Sequence, residues 1–577
     1  MFFSSDNRSW VFWVLVLPFT CVKGHFNPWG NLNQTVKGRL HAAKPFALPC
    51  FSSYNGQHTS SDATACDAVQ KNYGNASFRS EVFSGYMESQ AEICALNAKD
   101  QCLLDDTNPS NPLAYADATC GQGSISPYYI EVHEASDVQA ALRFSKRTGI
   151  KLSIKNSGHD YLSRSILKGS LALWVRKLDT LSYNPKFVPT GCRSSDRSRA
   201  ITVGAGVNFD EVYTYAHSRR VTYVGGSSPT VGVSGGWVMN GGHSLLSPVY
   251  GLGIDRVLEF KIVTPDGVLR TANACTNPDL FWALRGGGGG TFGVVLESTA
   301  RVEPEMSLSI ASVSFPPTAT NGQEFLSLIL NNTLPWSADG WGGVAGPTFL
   351  NSVNPLLDLA KAKKSMAPLT TYVEAHNGTV TVETYPNWLE FYTKFIKPSG
   401  ESGVGSTDFP ASRLIDKSLF ASEKGRSDLM DYLAHLLELK LPPTIFTTTP
   451  SHYTPPKANL TSATPAWRSS VWDLATQVTW AWNSTVKDKQ ATVAQLKDLT
   501  DRVEAITPNG GAYANEANPW THNWQESWWG KDNYASLLAV KKRYDPDGLL
   551  NCWRCVGWEE SEQAPGRTFE CMGALGS

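Results

Sequence analysis

The pattern of apolar and polar positions becomes regular near residue 125, where short strands begin to alternate with amphipathic helices. The β-branched and aromatic run at 128–132 predicts a strand, and the alternating run at 151–155 predicts a second one. Between them, apolar residues recur at helical spacing, after a capping-box sequence that begins at Ser136 and before a terminating Gly149. These elements predict a short βαβ unit.

A second unit follows with the same alternation. Its predicted elements are strands at 200–203, 221–224, 257–264, 268–272 and 294–296 and helices at 209–216 and 277–284. Pro265-Asp266-Gly267 separates two of these strands and predicts a hairpin. Strands that alternate with helices in this way predict a mixed α and β domain.

The rest of the chain has weaker periodicity. Residues 25–122 are rich in Cys, Asn and Ser, which favours a segment held by disulfide bonds. Residues 306–505 mix helix and strand patterns without a catalytic motif, although 490–505 predicts one amphipathic helix. A Trp-rich stretch at 519–530 and a predicted helix at 534–544 form the C-terminal part.

The composition narrows the class of protein. Aromatic residues make up 11% of the 577 residues, which argues against disorder. Charged residues make up only 18%, and 50 Lys and Arg against 52 Asp and Glu give a net charge of −2. Without a basic excess, we expect neither a nucleic-acid binder nor a protein held electrostatically on a membrane.

The first residues predict a signal peptide at 1–24, with a buried strand or a short anchor as the alternative. The apolar run at 10–19 is too short to span a bilayer, and small residues precede a cleavage point after Gly24. Cleavage there removes Cys21 and leaves ten cysteines, enough for five disulfide bonds in an oxidising compartment. Cys552-x-x-Cys555 has no second ligand pair, which favours a disulfide over a redox or zinc site.

Beyond the predicted signal peptide, six sequons for N-glycosylation agree with a secretory route. They begin at Asn33, Asn75, Asn331, Asn377, Asn459 and Asn483. None lies between Cys120 and Ser298, so we expect this stretch to be packed or functional. No further apolar run is long enough for a transmembrane helix, and the predicted location is extracellular or within the secretory pathway.

Three glycine-rich segments, at 156–161, 225–244 and 285–293, carry the most distinctive chemistry. Backbone N–H groups that no side chain shields can approach a pyrophosphate or a flat ring. A flexible linker is the alternative, but apolar residues such as Trp237 are interleaved with the glycines. The first segment follows the second strand rather than the first, which disfavours a dinucleotide site of the Rossmann type.

Several motifs taken together resemble one family. They are IKNSGHDY at 154–161, GVSGG at 232–236, GGHS at 241–244, YGLGID at 250–255, the segment 277–293 and YDPDG at 544–548. In this order and spacing they resemble the FAD-linked oxidases of the vanillyl-alcohol-oxidase / p-cresol-methylhydroxylase (PCMH) type. The similarity is greatest to the berberine-bridge-enzyme-like branch with its secreted fungal members. It is strong over 125–305 and moderate over 510–556.

The resemblance implies an α+β fold. A PCMH-type FAD-binding domain of two α/β subdomains is expected beside an α/β substrate-binding domain whose sheet lies over the flavin, after a disulfide-rich N-terminal extension. The expected boundaries are a signal peptide at 1–24, the extension at 25–122, the FAD-binding domain at 123–305, the substrate-binding domain at 306–509, a C-terminal segment that returns to the FAD-binding domain at 510–560 and a tail at 561–577.

By resemblance, His159 carries the covalent bond to the 8α-carbon of FAD. Further FAD contacts are implied for Asn156, Ser157, Gly158, Asp160, Ser165, Gly232, Val233, Ser234, Gly235, Gly242, Tyr534 and Asn551. Many relatives add a second bond from a cysteine at the position where this chain has Ser228, so we expect a single attachment. Cys192 and Cys275 are expected to form disulfide bonds rather than to replace that cysteine.

The implied reaction is hydride transfer from a small organic substrate to FAD, followed by reoxidation by O2 to give H2O2. An alcohol, a sugar or a secondary metabolite would serve as substrate, and oxidative ring formation is within this chemistry. Tyr513 and Glu516 are the candidate catalytic groups and His243 is a third, with surface, packing or loop roles as alternatives.

Three other functions are alternatives to this oxidase. A redox-neutral cyclase on the same fold stays open. A non-catalytic, carbohydrate-binding glycoprotein is disfavoured by the intact loop around His159. A zinc hydrolase is disfavoured because the chain has no H-E-x-x-H spacing, so no metal is expected.

Overall fold

The computed structural model describes residues 27–399, 403–456, 460–563 and 566–576. The predicted signal peptide and the sequon at Asn459 lie outside these residues. Within them, the chain forms sheets of four, five and seven strands and two two-stranded ribbons. The three large sheets position the candidate site.

The N-terminal segment consists of short elements: α1 (Pro28–Thr35), β1 (Leu40–Ala42), β2 (Ser53–Tyr54), β3 (Gln57–His58), α2 (Ala63–Lys71) and α3 (Ala76–Ser80). The disulfides Cys50–Cys66 and Cys102–Cys120 enclose its small core. A third disulfide, Cys94–Cys571, joins it to the C-terminal tail. Covalent bonds therefore support a segment whose own core is small.

The predicted βαβ unit is present as β4 (Tyr128–Glu131), α4 (Ala135–Thr148) and β5 (Leu152–Lys155). β6 (Leu171–Trp174) lies between the two strands, parallel to both, and β1 of the N-terminal segment pairs antiparallel with β4. The predicted capping box at Ser136 is wrong. The Asp137 carboxylate accepts the N–H groups of His133 and Glu134 instead, and the helix begins at Ala135.

The next segment contains β7 (Leu181–Phe187), β8 (Ser198–Gly204), α5 (Phe209–Ser218), β9 (Val221–Thr222), α6 (Val238–Asn240), α7 (Ser247–Tyr250), α8 (Gly253–Arg256), β10 (Val257–Val263), β11 (Leu269–Asn273), α9 (Pro278–Leu284), β12 (Val294–Arg301) and β13 (Glu303–Pro304). Five strands form an antiparallel sheet in the order β11-β10-β12-β8-β7, with the predicted hairpin at one edge. The strand after α5 leaves this sheet, because β9 pairs with β13.

The following region contains β14 (Leu308–Ser314), α10 (Asn321–Asp339), β15 (Gly342–Gly346), β16 (Phe349–Asn354), α11 (Leu359–Ala375), β17 (Thr379–Tyr385), α12 (Trp388–Phe391), β18 (Phe409–Asp416), α13 (Lys417–Ala421), α14 (Glu423–Glu438), β19 (Thr444–Phe446), β20 (Ser470–Val478) and α15 (Val486–Ile506). Its strands form one antiparallel sheet in the order β17-β14-β16-β15-β19-β20-β18. Helices α10, α11 and α15 pack against this sheet. Phe446 and Asp473 are neighbours in register on β19 and β20.

The C-terminal part contains α16 (Trp524–Trp529), α17 (Lys531–Tyr544) and α18 (Glu570–Gly573). This part contacts two regions of the chain. Trp529 donates to the Gly286 carbonyl (2.8 Å), which follows α9, and the backbone of Gly511 pairs with Leu414 on β18 of the seven-stranded sheet. Cys192–Cys275 and Cys552–Cys555 complete five disulfides, so the predicted use of ten cysteines is confirmed. Among the described helices, none has the length and apolar character that a bilayer span requires.

Candidate functional site

The first glycine-rich segment forms the loop between β5 and β6, and its shape is fixed by the chain's own contacts. Gly158 has a left-handed backbone (φ 104°), and a Cβ atom there would lie 2.9 Å from the Gly85 carbonyl oxygen, so glycine is required. Asp160 accepts the backbone N–H groups of Arg164 (2.9 Å) and Ser165 (2.6 Å), which closes the loop. Ser157, on the same loop, is buried.

His159 lies on this loop with both ring nitrogens near other side chains. Nε2 is 2.7 Å from Thr230 Oγ1, and Nδ1 is 3.8 Å from Glu88 Oε1. Burial lowers the pKa of His159 to about 3, and the charge of Lys155 acts in the same direction. The imidazole is therefore neutral at physiological pH and offers one nitrogen with a free lone pair, as a nucleophile requires.

The second glycine-rich segment packs directly against the first loop. A Cβ atom at Gly232 would lie 2.3 Å from Asn156 Oδ1, and one at Gly235 would lie 2.9 Å from Asn156 Nδ2. Gly242 has its backbone against the Trp237 ring, where a Cβ atom would be 3.1 Å away. The two predicted loops are therefore in contact through Asn156.

Val233 and Ser234 anchor this segment to the five-stranded sheet. The Val233 N–H donates to the Val207 carbonyl (2.9 Å), and the Ser234 hydroxyl donates to the Val203 carbonyl (2.9 Å) and lies 2.6 Å from Ser298 Oγ. The Ser234 hydroxyl thus has its hydrogen-bond partners within the protein, so this residue can contact a ligand through its backbone.

Five buried side-chain atoms around the glycine-rich segments have no hydrogen-bond partner within the described part of the chain: Asn156 Oδ1, Ser163 Oγ, Arg164 Nη1, Ser228 Oγ and Asn240 Oδ1. A buried polar group left unpaired costs about 1–3 kcal/mol, so such a set indicates a polar ligand. FAD offers diphosphate oxygens to a guanidinium or hydroxyl, and ribityl hydroxyls and ring atoms to amide oxygens. The residues present fit this cofactor.

The two C-terminal positions differ in their surroundings. Tyr534 accepts from the Gly557 N–H (3.4 Å), and its ring packs against Trp524 and Trp529, so its described contacts lie in the aromatic cluster of α16 and α17. Asn551 follows Leu550, whose N–H donates to the Asp545 carboxylate (3.0 Å). The next residue, Cys552, has its Sγ 3.9 Å from the Cβ position of Gly290, which is 4.0 Å from Ile154 on β5. Asn551 therefore lies near the strand that leads into the His159 loop.

The three candidate catalytic residues lie together. His243 Nε2 is 3.3 Å from Glu516 Oε1, and the Tyr513 ring is 5.2 Å from the imidazole. Asp473 on β20 lies beside them. One imidazole nitrogen of His243 and one carboxylate oxygen each of Asp473 and Glu516 lie within 4.8 Å of one another. Tyr513 is buried, while the Glu516 and His243 side chains are partly exposed, by 20% and 13%.

Burial and mutual charge set the protonation of this cluster. Burial lowers the pKa of His243, but the charge and hydrogen bond of Glu516 and the charge of Asp473 together outweigh it, so the net pKa shift is upward. Burial and the charge of Glu516 raise the pKa of Asp473. Burial also raises the pKa of Tyr513 and keeps its hydroxyl protonated. The cluster can hold a proton near physiological pH, as acid–base chemistry requires.

Four polar residues of this region were not among the sequence candidates: Arg164, Asn240, Asp473 and Asn515. Asn515 accepts from Asn240 Nδ2 (2.6 Å) and Arg164 Nη2 (3.0 Å), and so connects the His159 loop and the second glycine-rich segment with the C-terminal part. Asp473 is the only charged residue of the strand SVWDLATQV at 470–478, and a lone carboxylate in an apolar strand is the signal that could have identified it. The other three have no such signal.

Known proteins agree with this geometry. A family model for an FAD binding domain matches residues 126–273, and one described as berberine and berberine like matches 512–552. The FAD-linked oxidoreductase ffsJ of Aspergillus flavipes is 46% identical, with 97% of this chain and 98% of that protein covered. The VAO-type flavoprotein oxidase VAO615 of Thermothelomyces thermophilus is 32% identical, with 94% and 93% covered.

The solved structures give the same result. The crystal structure of the VAO-type flavoprotein MtVAO713 from Myceliophthora thermophila C1 superposes with a TM-score of 0.80 at 26% identity, over 94% of this chain and 96% of that one. The predicted α+β fold of this type is therefore confirmed. The chain belongs to the VAO-type, berberine-bridge-enzyme-like family of flavoproteins and is an FAD-dependent oxidoreductase.

Proposed function

We propose that the protein is a secreted oxidase that carries FAD on a single covalent bond to His159 and oxidises a small hydroxylated molecule. The observation that carries the proposal is the position of a neutral, buried imidazole at the junction of the glycine-rich loops. Bound FAD supplies the two-electron acceptor, and O2 is the proposed final acceptor, giving H2O2.

The surroundings of His159 support attachment through Nδ1. The Nε2–H can donate to Thr230 Oγ1, which fixes the tautomer and leaves the Nδ1 lone pair free. Ser228 stands where a second attachment needs a thiol, and its hydroxyl cannot form a thioether. Single attachment follows from that substitution.

Purified protein is expected to hold flavin through acid precipitation, and His159→Ala is expected to release all of it. Flavin fluorescence of the denatured chain in a gel measures this directly. His217→Ala, which changes a surface histidine paired with Glu305, serves as the matched control. Acid-stable flavin in the His159 variant would show that another residue carries the bond.

The proposed holders of FAD are the groups left unpaired by the protein. Arg164 Nη1 and the backbone N–H groups of 156–159 suit the diphosphate, since the Asp160 N–H donates to Glu88. Asn156 and Asn240 offer amide oxygens to donors of the cofactor. Gly288 brings two of these side chains together, because a Cβ atom there would lie 3.3 Å from Asn240 Oδ1 and 4.0 Å from Arg164 Nη1.

Gly232→Ala is expected to weaken FAD binding about tenfold, because the added methyl group would overlap Asn156 and overpacking costs about 1–3 kcal/mol. Titration of flavin-depleted protein with FAD, in the His159→Ala background, measures the reversible affinity. Gly74→Ala adds a methyl group at an exposed site, 3.4 Å from the nearest atom, and should leave it unchanged. Equal affinity in both variants would disprove the contact.

The proposed proton acceptor is the His243–Glu516 pair. A hydroxyl proton must leave the substrate as hydride leaves the adjacent carbon, and this pair is the partly exposed acid–base group of the cluster. Asp473 and Glu516 favour the protonated imidazole by charge. Thr448 Oγ1, 2.9 Å from His243 Nδ1, orients the ring.

Aromatic rings define the substrate class that we propose. The centroids of Phe446 and Trp467 lie 5.3 Å and 6.2 Å from that of His243, with Tyr513 on a third side. Such walls favour a substrate with a flat apolar body and one hydroxyl group. We therefore propose a secondary metabolite, including one whose oxidation closes a ring, rather than a free sugar.

One substrate screen distinguishes the substrate classes, and it also distinguishes oxidation from redox-neutral cyclisation. Alcohols, sugars and polyketide-like compounds are screened for H2O2 release by the flavin-loaded protein. Turnover with stoichiometric H2O2 supports the oxidase. Product formation without O2 uptake supports the cyclase.

Secretion and the domain boundaries belong to the same proposal. Five disulfides fit an oxidising compartment, and Asn75, Asn331, Asn377 and Asn483 are exposed, as glycan acceptors must be, while Asn33 is half-buried. The proposed domains are the FAD-binding domain at 123–305 and the substrate-binding domain at 306–509. The segment 510–560 contacts both, as the interactions of Gly511 and Trp529 indicate.

A further inference from the structure

The N-terminal segment contributes a loop, residues 82–88, that lies directly against the His159 loop. The Met87 N–H donates to the Gly158 carbonyl (3.0 Å), and Lys155 Nζ donates to the Gly85 carbonyl (2.9 Å). On its other side, the Met87 carbonyl accepts from the Gly405 N–H (2.7 Å). Loop 82–88 is thus clamped between the His159 loop and the segment that leads into β18.

Glu88 ends this loop with its carboxylate beside the reactive histidine. Oε2 accepts from the Asp160 N–H (2.7 Å), and Oε1 lies 3.8 Å from His159 Nδ1. The backbone of Glu88 is fixed by the loop, and the next residue, Ser89, donates its N–H to the Ser406 carbonyl (2.8 Å). The carboxylate therefore has one oxygen anchored and one oxygen facing the nitrogen that we propose as nucleophile.

The charged and titratable groups around Glu88 are Asp160, Asp408, His159 and Tyr161. None is a cation at neutral pH, since the His159 imidazole is neutral. Burial raises the pKa of Glu88 to about 8, and the nearby Asp408 and Asp160 charges add to the effect of burial, against hydrogen bonds that lower it. A carboxyl group with such a pKa changes protonation near physiological pH, which suits a proton acceptor.

We propose that Glu88 is the proton acceptor for the attachment of FAD to His159, an inference that rests on the attachment proposed above. Attachment forms a bond between a His159 nitrogen and the 8α-carbon and breaks one C–H bond of the 8α-methyl group. Glu88 accepts the C–H proton, and the imidazole N–H proton passes to solvent. The two electrons of the broken bond reduce the flavin ring system, and O2 takes them up together with two protons to give H2O2.

The test follows attachment itself rather than turnover. Wild-type protein and variants are produced under riboflavin limitation, mixed with FAD, and sampled over time for acid-stable flavin. Glu88→Gln keeps an oxygen acceptor for the Asp160 N–H but cannot take up a proton, and Glu88→Asp keeps the carboxylate. Glu81→Gln, on the same segment and with an exposed carboxylate paired with the buried Arg176, is the matched control.

In wild-type protein, the attachment rate should rise with pH up to about pH 8, as Glu88 ionises. Glu88→Gln should bind FAD reversibly but attach it about 100-fold more slowly, without this pH dependence, and Glu88→Asp should regain part of the rate. Attachment by Glu88→Gln at the wild-type rate would overturn the inference and leave the His159 proposal intact. Wild-type protein without acid-stable flavin on His159 would overturn both.

Discussion

Replacement of Glu516 by glutamine is expected to lower kcat at least about 100-fold and to leave the amount of bound flavin unchanged. The glutamine side chain keeps the size of the carboxylate next to His243 Nε2, 3.3 Å away, but cannot share a proton with the imidazole. Within the described residues, Glu516 forms no hydrogen bond or ion pair with His159 or Glu88, so attachment should proceed normally. Anaerobic reduction of the flavin by a substrate from the screen measures the affected step.

The pH profile distinguishes a chemical role of Glu516 from a structural one. The Glu516 charge raises the pKa of His243, so removing it must lower that pKa. If the neutral imidazole accepts the substrate proton, the residual kcat of Glu516→Gln will have its acid limb at lower pH than the wild type. Asp473→Asn should shift this limb in the same direction, because Asp473 also raises the pKa of His243, with a smaller loss of kcat.

The control for these variants is Glu526→Gln, an exposed carboxylate in the same C-terminal segment. It should match wild-type kcat and wild-type pH dependence. A Glu516→Gln variant with wild-type kcat would exclude the His243–Glu516 pair as the proton acceptor. A large loss of kcat with an unshifted acid limb would assign Glu516 a purely structural role.

Local patterns in the sequence were sufficient for much of the fold. The helical spacing before Gly149 and the alternation at 151–155 reflect the burial of one face of each element, and both elements are present. The glycine-rich segments were also readable, because glycine is required where the backbone of Gly158 takes a positive φ or where Gly232 touches Asn156. The periodicity and glycine patterns can be recognised from residues that are close together in the sequence.

The remaining features depend on contacts between distant parts of the chain. Nothing near Glu88 indicates that it reaches His159, 71 residues later, because loop 82–88 is placed by Lys155 and by the segment before β18. The Cys94–Cys571 disulfide spans 477 residues, and no spacing rule gives such a pairing. The proximity of Asp473 to His243 is evident only in the folded protein, where β20 lies beside His243.

Replacement of Arg79 by methionine is expected to lower the free energy of unfolding by about 3–5 kcal/mol, the largest stability effect we predict. Arg79 is fully buried, with Nη2 2.9 Å from Glu92 Oε1 and Nε 2.7 Å from the Tyr86 carbonyl. Its guanidinium also lies 4.4 Å from the Phe46 ring centroid. Methionine fills the space but leaves the Glu92 carboxylate buried without its cation. Urea unfolding followed by tryptophan fluorescence measures the loss.

The decrease in the free energy of unfolding caused by Arg79→Met should become larger as pH rises. Burial raises the pKa of Glu92 in the native protein, while the Arg79 charge opposes that rise, so Arg79→Met must raise the pKa of Glu92 further. The native variant then binds a proton that the unfolded chain releases above its ordinary pKa, and its stability falls as pH rises through that interval. Arg79→Met should therefore be least destabilising in acid.

Two comparisons isolate the buried pair. Arg79→Met/Glu92→Leu removes both charges and should recover more than half of the loss, because neither member of the pair is left as a buried charge without the other. Lys71→Met breaks an exposed pair with Asp67 and should cost less than about 1 kcal/mol. Since Arg79 and Glu92 both hold Tyr86 of loop 82–88, Arg79→Met should also slow flavin attachment, and the double variant, which lacks both contacts, should not restore it. If Arg79→Met were no more destabilising than Lys71→Met, the buried pair would not be what holds this loop against the flavin site.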